Sequence, residues 1–174
     1  MKWTERQIAR EISTRFFDRK HLVMVPNCNW TGHEADILAI TNSLRLIDIE
    51  IKISRADLKA DVKKNKWWEH PSFAWGEPRP APVAREHPPK VWKHYYALPA
   101  EIWTKELEQH LPNRSSGVLL LKEGRGDLYI TCFRQAKPAK DAYRLQPVEA
   151  INIARLASLR MWEAYRRLDE REAA

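Results

Sequence analysis

The chain has 174 residues, 44% of them hydrophobic and 10% aromatic, so it is long enough to bury a core and too apolar to be wholly disordered. Its net charge of +7 and pI near 9.5 favour a polyanionic partner, with nucleic acid ahead of an anionic membrane. The N-terminus has no apolar signal segment, and nowhere do 18 apolar residues run together, so we expect one domain over residues 1–174, no membrane contact and a cytoplasmic location.

The first predicted element is a helix over residues 4–18. Thr4 is a suitable N-cap, and Ile8 and Ile12 recur at the spacing of one buried face. On a helical wheel Glu5 falls about 60° from Ile8, inside this apolar stripe. An acid on an inward face favours a functional role, although a first-turn acid that only interacts with the positive end of the helix explains Glu5 equally well.

Three strands are predicted to follow the helix. The first covers residues 22–25 and ends at Pro26, and a polar loop that contains His33 follows it. We interpret His33 as a solvated loop residue, which is the usual state of a lone histidine. The other two strands lie within residues 34–53, on either side of a cluster with turn chemistry at residues 41–43. In the last strand apolar and charged side chains alternate between two faces: Ile47, Ile49, Ile51 and Ile53 on one, Asp48, Glu50 and Lys52 on the other.

A hairpin of this kind brings Asp36 close to Glu50 and Lys52. Two carboxylates can bind a hard divalent cation through oxygen, and an ammonium group beside them can orient or stabilise an attacking oxygen. Phosphodiester hydrolysis requires such a set of groups. A solvated edge strand would show the same alternation, so this segment alone leaves both interpretations open.

The spacing of these residues, Asp36 followed by 13 others and then Glu50-x-Lys52, resembles the PD-(D/E)XK nuclease superfamily. This superfamily includes restriction endonucleases, archaeal Holliday-junction resolvases and many phage and repair nucleases. The resemblance extends over roughly residues 4–135 in the order of elements. It implies an α/β fold, namely a restriction-endonuclease-like three-layer sandwich in which a central mixed β-sheet is flanked by helices.

The resemblance also implies an activity and its residues. The chain would be a deoxyribonuclease dependent on Mg²⁺ or Mn²⁺, with Asp36, Glu50 and Ile51 at the metal and Lys52 beside the attacking water. In resolvase-like members a glutamate of the first helix completes the site, and Glu5 resembles that residue. The proline that usually precedes the aspartate is Ala35 here. Asp48 is not part of the family pattern, and its role stays open.

A helix is predicted to begin directly after Lys52, because residues 54–57 have the form of a capping box. Basic residues then recur on one face of this helix, and some phage and bacterial members of the superfamily continue in the same way. A basic stripe on a helix is usually a solvated face, but beside a nuclease site it can hold backbone phosphates. The predicted DNA-binding residues are Arg55, Lys59, Lys63 and Lys66.

Residues 67–93 form an insertion rich in tryptophan and proline, which excludes regular helix or central strand. Its tryptophans either pack against the loop itself or stack on unpaired bases, and we expect substrate preference to reside in it. The remaining predicted elements are strands at residues 94–98, 117–121 and 127–132, a helix at residues 100–110 and a C-terminal helix at residues 148–168.

Three functional hypotheses follow. The first is a metal-dependent nuclease, and the resemblance to phage and bacterial members implies a role in DNA repair or recombination. The second is a binding module of the same fold that holds nucleic acid without cutting it, and the third is an interaction protein that docks a partner through the insertion. Whether two copies pair as a homodimer to cut both strands stays open.

Overall fold

A computed structural model describes residues 3–16, 20–124 and 127–172. Within these ranges the chain forms three α-helices and eight strands. The helices are α1 (Glu5–Arg15), α2 (Arg55–Ala60) and α3 (Pro147–Glu172). The strands are β1 (His21–Cys28), β2 (Ala35–Thr41), β3 (Leu46–Ile51), β4 (Trp68–Glu69), β5 (Val83–Ala84), β6 (Val91–Pro99), β7 (Gly117–Gly124) and β8 (Asp127–Arg134).

Six of these strands form one mixed sheet in the order β1-β2-β3-β6-β7-β8. The outer pairs β1/β2, β2/β3 and β7/β8 are antiparallel, whereas β3/β6 and β6/β7 are parallel. Strand β3 is therefore central, and all six of its residues are buried. This position excludes the solvated edge strand that the alternating pattern also allowed.

Apolar side chains cover both faces of the sheet. Helix α1 places Ile8 and Ile12 in a core cluster with Ile49 on one face. The opposite face carries two separate clusters, one where α3 packs through Ile153 and one around Trp67. The chain is thus an α/β protein in which helices pack on a central mixed sheet, as the sequence predicted.

The predicted N-terminal elements form, with different ends. Thr4 caps α1 through a capping box with Gln7, and the helix ends at Arg15, while the predicted end at residue 18 lies outside the described residues. The prediction that Pro26 ends the first strand is wrong, because β1 continues to Cys28 and Pro26 pairs with Ile37. An edge strand tolerates proline because one of its sides has no partner strand.

Two helix predictions need correction. The helix after Lys52 ends at Ala60 and continues as two 3₁₀ turns, Asp61–Lys63 and Asn65–Trp67. Residues 100–110 form two 3₁₀ segments instead of an α-helix. Leu58 and Trp67 of the first segment and Leu107 of the second join the same core cluster, and short segments of this kind are the usual setting of 3₁₀ geometry.

The C-terminal half of the chain follows the predicted order. Strands β6, β7 and β8 contain the three predicted segments, although Arg125 and Gly126 of the predicted hairpin tip lie outside the described residues. Strand β6 starts at Val91, so the predicted insertion is shorter than residues 67–93 at its C-terminal end. Among the described residues, none of the helices combines the length and the apolar composition needed to cross a membrane.

Candidate functional site

The hairpin of β2 and β3 places two carboxylates side by side. Ile37 and Ile49 are cross-strand partners, and Asp36 and Glu50 are the next residues beyond that pair. Because alternate side chains point to opposite faces, both acids project from the face opposite α1. The Asp36 carboxylate accepts a hydrogen bond of 2.6 Å from the main-chain N–H of Ile51, which ties the start of β2 to the end of β3.

Three lysines surround Glu50. The Nζ atoms of Lys52 and Lys64 lie 3.2 and 2.9 Å from Oε2 of Glu50, and Nζ of Lys66 lies 2.5 Å from Oε1. Burial raises the pKa of Glu50, but the positive charges of Lys66 and Lys52 more than offset this and hold the pKa below its ordinary value. Glu50 is therefore ionised at neutral pH, with both oxygens engaged.

Asp61 is a second acid of this cluster that sequence reasoning missed. Its Oδ1 atom lies 3.0 Å from the Nζ atoms of both Lys52 and Lys64, and its Oδ2 atom accepts hydrogen bonds from Tyr96 and Trp67. Burial opposes its ionisation, yet the surrounding lysines and the Tyr96 hydroxyl hold the pKa of Asp61 far below its usual range. The carboxylate thus anchors two of the three lysines that contact Glu50.

Asp48 lies deeper in the same cluster and is fully buried. Its Oδ2 atom lies 3.0 Å from Nε2 of His33, 3.6 Å from Nζ of Lys66 and 3.9 Å from Nε2 of His94. The interpretation of His33 as a solvated residue is wrong, because the imidazole is mostly buried against Asp48. A loop histidine followed by a buried strand with an inward acid is the signal that could have revealed this contact.

His94 connects the cluster to the next strand. It lies on β6, where it is the cross-strand partner of Asp48, and burial together with the nearby Lys66 lowers its pKa to about 3. The neutral ring lies 3.4 Å from Nζ of Lys66 through Nε2 and 3.0 Å from Oγ of Ser116 through Nδ1. Because the ammonium group can only donate, Nε2 accepts and Nδ1 carries the proton.

Asp36 differs from the other acids because it has no ion pair among the described residues. Burial, followed by repulsion from Glu50, raises the pKa of Asp36 to about 6. The cluster holds four carboxylates against the ammonium groups of three lysines, so one negative charge has no ion pair within it. The acids are Asp36, Asp48, Glu50 and Asp61, and the lysines are Lys52, Lys64 and Lys66.

The predicted role of Glu5 is not supported by its position. Its side chain is exposed in the first turn of α1, and the buried acid of this helix is Glu11. Glu11 forms ion pairs of 3.0 and 2.9 Å with Arg10 and Arg15, so it is neutralised within its own helix.

The predicted basic stripe is split by the early end of α2. The side chains of Arg55, Lys59 and Lys63 are exposed, and Arg55 donates to the carbonyl oxygen of Ile102 at 2.9 Å. Lys66 does not share this surface, because the 3₁₀ turns direct it into the cluster, where it is buried against Glu50. The prediction that Lys66 contacts phosphate is therefore wrong, whereas the other three residues remain available to a polyanion.

The residues fit a divalent cation in part. Among residues 3–16, 20–124 and 127–172, no three histidine, cysteine, aspartate or glutamate side chains form a ready metal cage. Two carboxylates, Asp36 and Glu50, do share one end of the hairpin, and the carboxylate of Asp36 is partly buried with no ion pair to the residues that the structure describes. A third ligand would have to be a main-chain oxygen such as that of Ile51. The unneutralised carboxylate is the observation that favours a cation at this place.

The insertion begins and ends beside the cluster. Trp67 is buried and follows Lys66 directly, and the main-chain N–H of Arg85 donates to the carbonyl of Trp67 at 2.8 Å. Between these anchors, β4 and β5 pair as a separate two-stranded sheet. In the loop that connects β4 to β5, Phe73 is half exposed and Trp75 is fully exposed. Packing thus accounts for Trp67, whereas the side chain of Trp75 lies in solvent.

Comparisons with known proteins identify a similar fold. No protein-family model matches the chain, and no curated protein matches it. One solved structure, described as the SPO1766 protein of unknown function from Silicibacter pomeroyi, is similar with a TM-score of 0.55 at 19% identity. The match covers 100% of this chain and 97% of that chain, so the similarity concerns the whole fold and is informative about the fold alone.

Proposed function

We propose that this chain is a divalent-metal-dependent nuclease that hydrolyses phosphodiester bonds in DNA. The observation that carries the proposal is the meeting of Asp36, Glu50 and Lys52 at one end of the central hairpin, where Asp36 is partly buried and has no ion pair among the described residues. An antiparallel hairpin followed by a parallel strand, with helices on both faces of the sheet, supports a restriction-endonuclease-like sandwich.

Asp36, Glu50 and the main-chain oxygen of Ile51 would hold Mg²⁺ or Mn²⁺. When bound, the cation would lower the pKa of a water molecule and offset the charge that develops on the phosphate. Burial lowers the pKa of Lys52, but Asp61 and Glu50 raise it above its ordinary value, so Lys52 stays protonated at neutral pH. It would therefore orient the attacking water as a hydrogen-bond donor, and it would not remove a proton.

The DNA partner is supported by charge. Arg55, Lys59 and Lys63 are exposed on the segment that starts three residues after Lys52, so they would hold backbone phosphates close to the acids. The insertion, with Phe73 and Trp75 exposed, would select among DNA structures by stacking on unpaired bases. A cytoplasmic role in phage or bacterial DNA repair or recombination, with a homodimer for cutting both strands, belongs to the same proposal.

A cleavage assay on duplex, single-stranded and branched DNA tests the activity. We expect cleavage that requires Mg²⁺ or Mn²⁺ and that is lost in the Asp36→Asn and Lys52→Met proteins. Glu34→Gln is the matched control for the first variant, because Glu34 is an exposed acid two positions from Asp36, and exposed Lys140→Met is the control for the second. Equal cleavage by all five proteins would contradict the proposed roles.

A non-catalytic nucleic-acid-binding module is the second candidate function. The observation that favours it is the engagement of both Glu50 oxygens by lysines, which is what a site without a metal requires. Calorimetric titration with Mn²⁺ separates the two functions, because a protein that binds DNA only through positive charges does not need a site for a divalent cation. Saturable Mn²⁺ binding that disappears in Asp36→Asn supports the nuclease, whereas salt-sensitive DNA binding without Mn²⁺ binding supports the module.

A further inference from the structure

The three lysines around Glu50 differ in exposure. The side chains of Lys52 and Lys66 are 3% and 1% exposed, whereas that of Lys64 is 47% exposed. Lys66 is also held by His94 and lies over the ring of Trp67. Two of the ammonium groups are thus enclosed by protein, and Lys64 is the one that borders solvent.

Lys64 links the two acids of the cluster. Its Nζ atom lies 2.9 Å from Oε2 of Glu50 and 3.0 Å from Oδ1 of Asp61. The residue lies between the two 3₁₀ turns in an extended conformation, and its main-chain N–H donates to the carbonyl of Asp61. Because the backbone is fixed independently of the ammonium group, the side chain can leave the acids by rotating into solvent.

Electrostatic attraction holds Lys64 in this position. Burial lowers its pKa, but Glu50 and Asp61 raise the pKa well above its ordinary value. The described contacts of the ammonium group are these two carboxylates. A divalent cation at Glu50 would repel the ammonium group and weaken the attraction that keeps it there.

We propose that Lys64 exchanges partners during the reaction: it neutralises Glu50 and Asp61 before a metal binds, and it contacts the substrate phosphate after a cation at Asp36 and Glu50 displaces it. This inference rests on the proposed nuclease function. It assigns different tasks to neighbouring lysines, since the enclosed Lys66 keeps the cluster together while Lys64 reaches the DNA. A lysine is suited to this exchange because its ammonium is a compact charge on a flexible stem.

The test is a comparison of Mn²⁺ affinity and cleavage rate in the Lys64→Met protein. Methionine keeps much of the length of the side chain and removes the charge. We expect Mn²⁺ to bind about 2- to 5-fold more tightly, because the substitution removes one half-exposed ion pair that competes with the cation. At saturating Mn²⁺ we expect the cleavage rate to fall at least about tenfold, because the phosphate loses a charged contact.

Two further variants complete the experiment. Lys64→Arg keeps a positive charge and should restore both the Mn²⁺ affinity and most of the cleavage rate, and Lys140→Met should change neither. A structural role for Lys64 would weaken metal binding and cleavage together, so opposite changes in the two quantities support the exchange. Unchanged Mn²⁺ affinity or unchanged cleavage in Lys64→Met overturns the exchange and leaves the nuclease intact. Absence of Mn²⁺ binding to both the wild-type and Lys64→Met proteins overturns the two proposals together.

Discussion

Asp36 illustrates how the partial burial of one carboxylate can reduce the stability of the folded protein. Its pKa of about 6 lies above the ordinary value of 3.8, so the folded protein holds a proton between these values that the unfolded chain releases. The stability associated with the protonated form is present below about pH 4 and is lost as the pH rises to 6. At neutral pH the ionised Asp36 therefore destabilises the metal-free protein.

We accordingly predict that Asp36→Asn stabilises the metal-free protein at pH 7.5. Two pKa units correspond to an upper limit of about 3 kcal/mol, and since Asp36 is partly exposed to solvent we expect about 1 to 2 kcal/mol. The amide oxygen can still accept the hydrogen bond from Ile51. Urea unfolding in the presence of a chelator measures the difference, which should disappear at pH 4. A variant that is less stable than wild type at pH 7.5 would contradict the charge imbalance.

Lys66 is predicted to be structural, in contrast to the surface lysines near it. Its removal leaves the buried carboxylate of Glu50 with fewer partners and Asp48 with only imidazole groups. Breaking such a buried pair from one side costs about 3 to 5 kcal/mol. Lys66→Met should lose stability on that scale in urea unfolding.

The matched control for this prediction is Lys63→Met. Lys63 is exposed three residues earlier, and a surface substitution of this kind changes stability by about 0.5 kcal/mol or less. If Lys66→Met and Lys63→Met were equally stable, Lys66 would not be holding the cluster together. It would then behave like the exposed lysines of the predicted basic stripe.

Among the elements, the segment from residue 53 to residue 69 decides which lysines reach the site. A continuous helix would have placed Lys59, Lys63 and Lys66 on one exposed face. Because α2 ends at Ala60 and 3₁₀ turns follow, Lys64 and Lys66 turn towards Glu50 instead. Because the α-helix gives way to 3₁₀ turns, Lys64 and Lys66 form ion pairs with Glu50 and are not part of an exposed basic stripe.

The insertion is the element for which we predict a role in substrate preference. Trp75 is fully exposed on a loop whose two ends are anchored beside Lys66. If it stacks on unpaired bases, Trp75→Ala should weaken binding of single-stranded or branched DNA by about 1 to 3 kcal/mol and leave duplex binding unchanged. Fluorescence anisotropy with labelled oligonucleotides measures both affinities.

Trp162→Ala provides the control for the insertion, because Trp162 is also an exposed tryptophan but lies on α3. It should leave both affinities unchanged. An equal loss of affinity in the two variants would point to a general effect of exposed indoles, and no loss in Trp75→Ala would remove the insertion from the proposed DNA contact.

At the scale of the whole molecule, the four acids and three lysines of the charged cluster lie between two separate parts of the hydrophobic core. On the sheet face opposite α1, one core cluster lies beneath α3 and another surrounds Trp67, while Asp48 and Glu50 on β3 lie between them. Burying so many ionisable groups is costly unless they are paired. Six of the seven groups form ion pairs, and Asp36 forms none among the described residues, an arrangement that the proposed cation site would explain.

Much of the fold was predictable because its signals are local. The two-residue alternation in β3 and the turn residues at 41–43 specified a hairpin, and the hairpin brought Asp36 to Glu50. The first helix followed from its cap and its apolar spacing. These predictions depend on neighbours within one element, where periodicity and steric preference act directly.

The remainder depended on contacts between distant parts of the chain. His94 meets Asp48 because β6 pairs in parallel with β3, and the direction of Lys64 depends on where α2 ends. A tertiary environment that rewards ion pairing at Glu50 overrides the local preference of residues 61–66 for helix.

The sequence by itself therefore determined an α/β chain with two acids and a lysine at the end of one hairpin, since these features arise from alternation and turn chemistry. Only the tertiary structure decided that Lys64 and Lys66 are counter-ions, that Glu5 lies away from the acids and that Asp36 has no ion pair within the described part of the chain. The reason is physical: whether a charged group is solvated, paired or left alone depends on which other charges folding brings within a few ångströms of it.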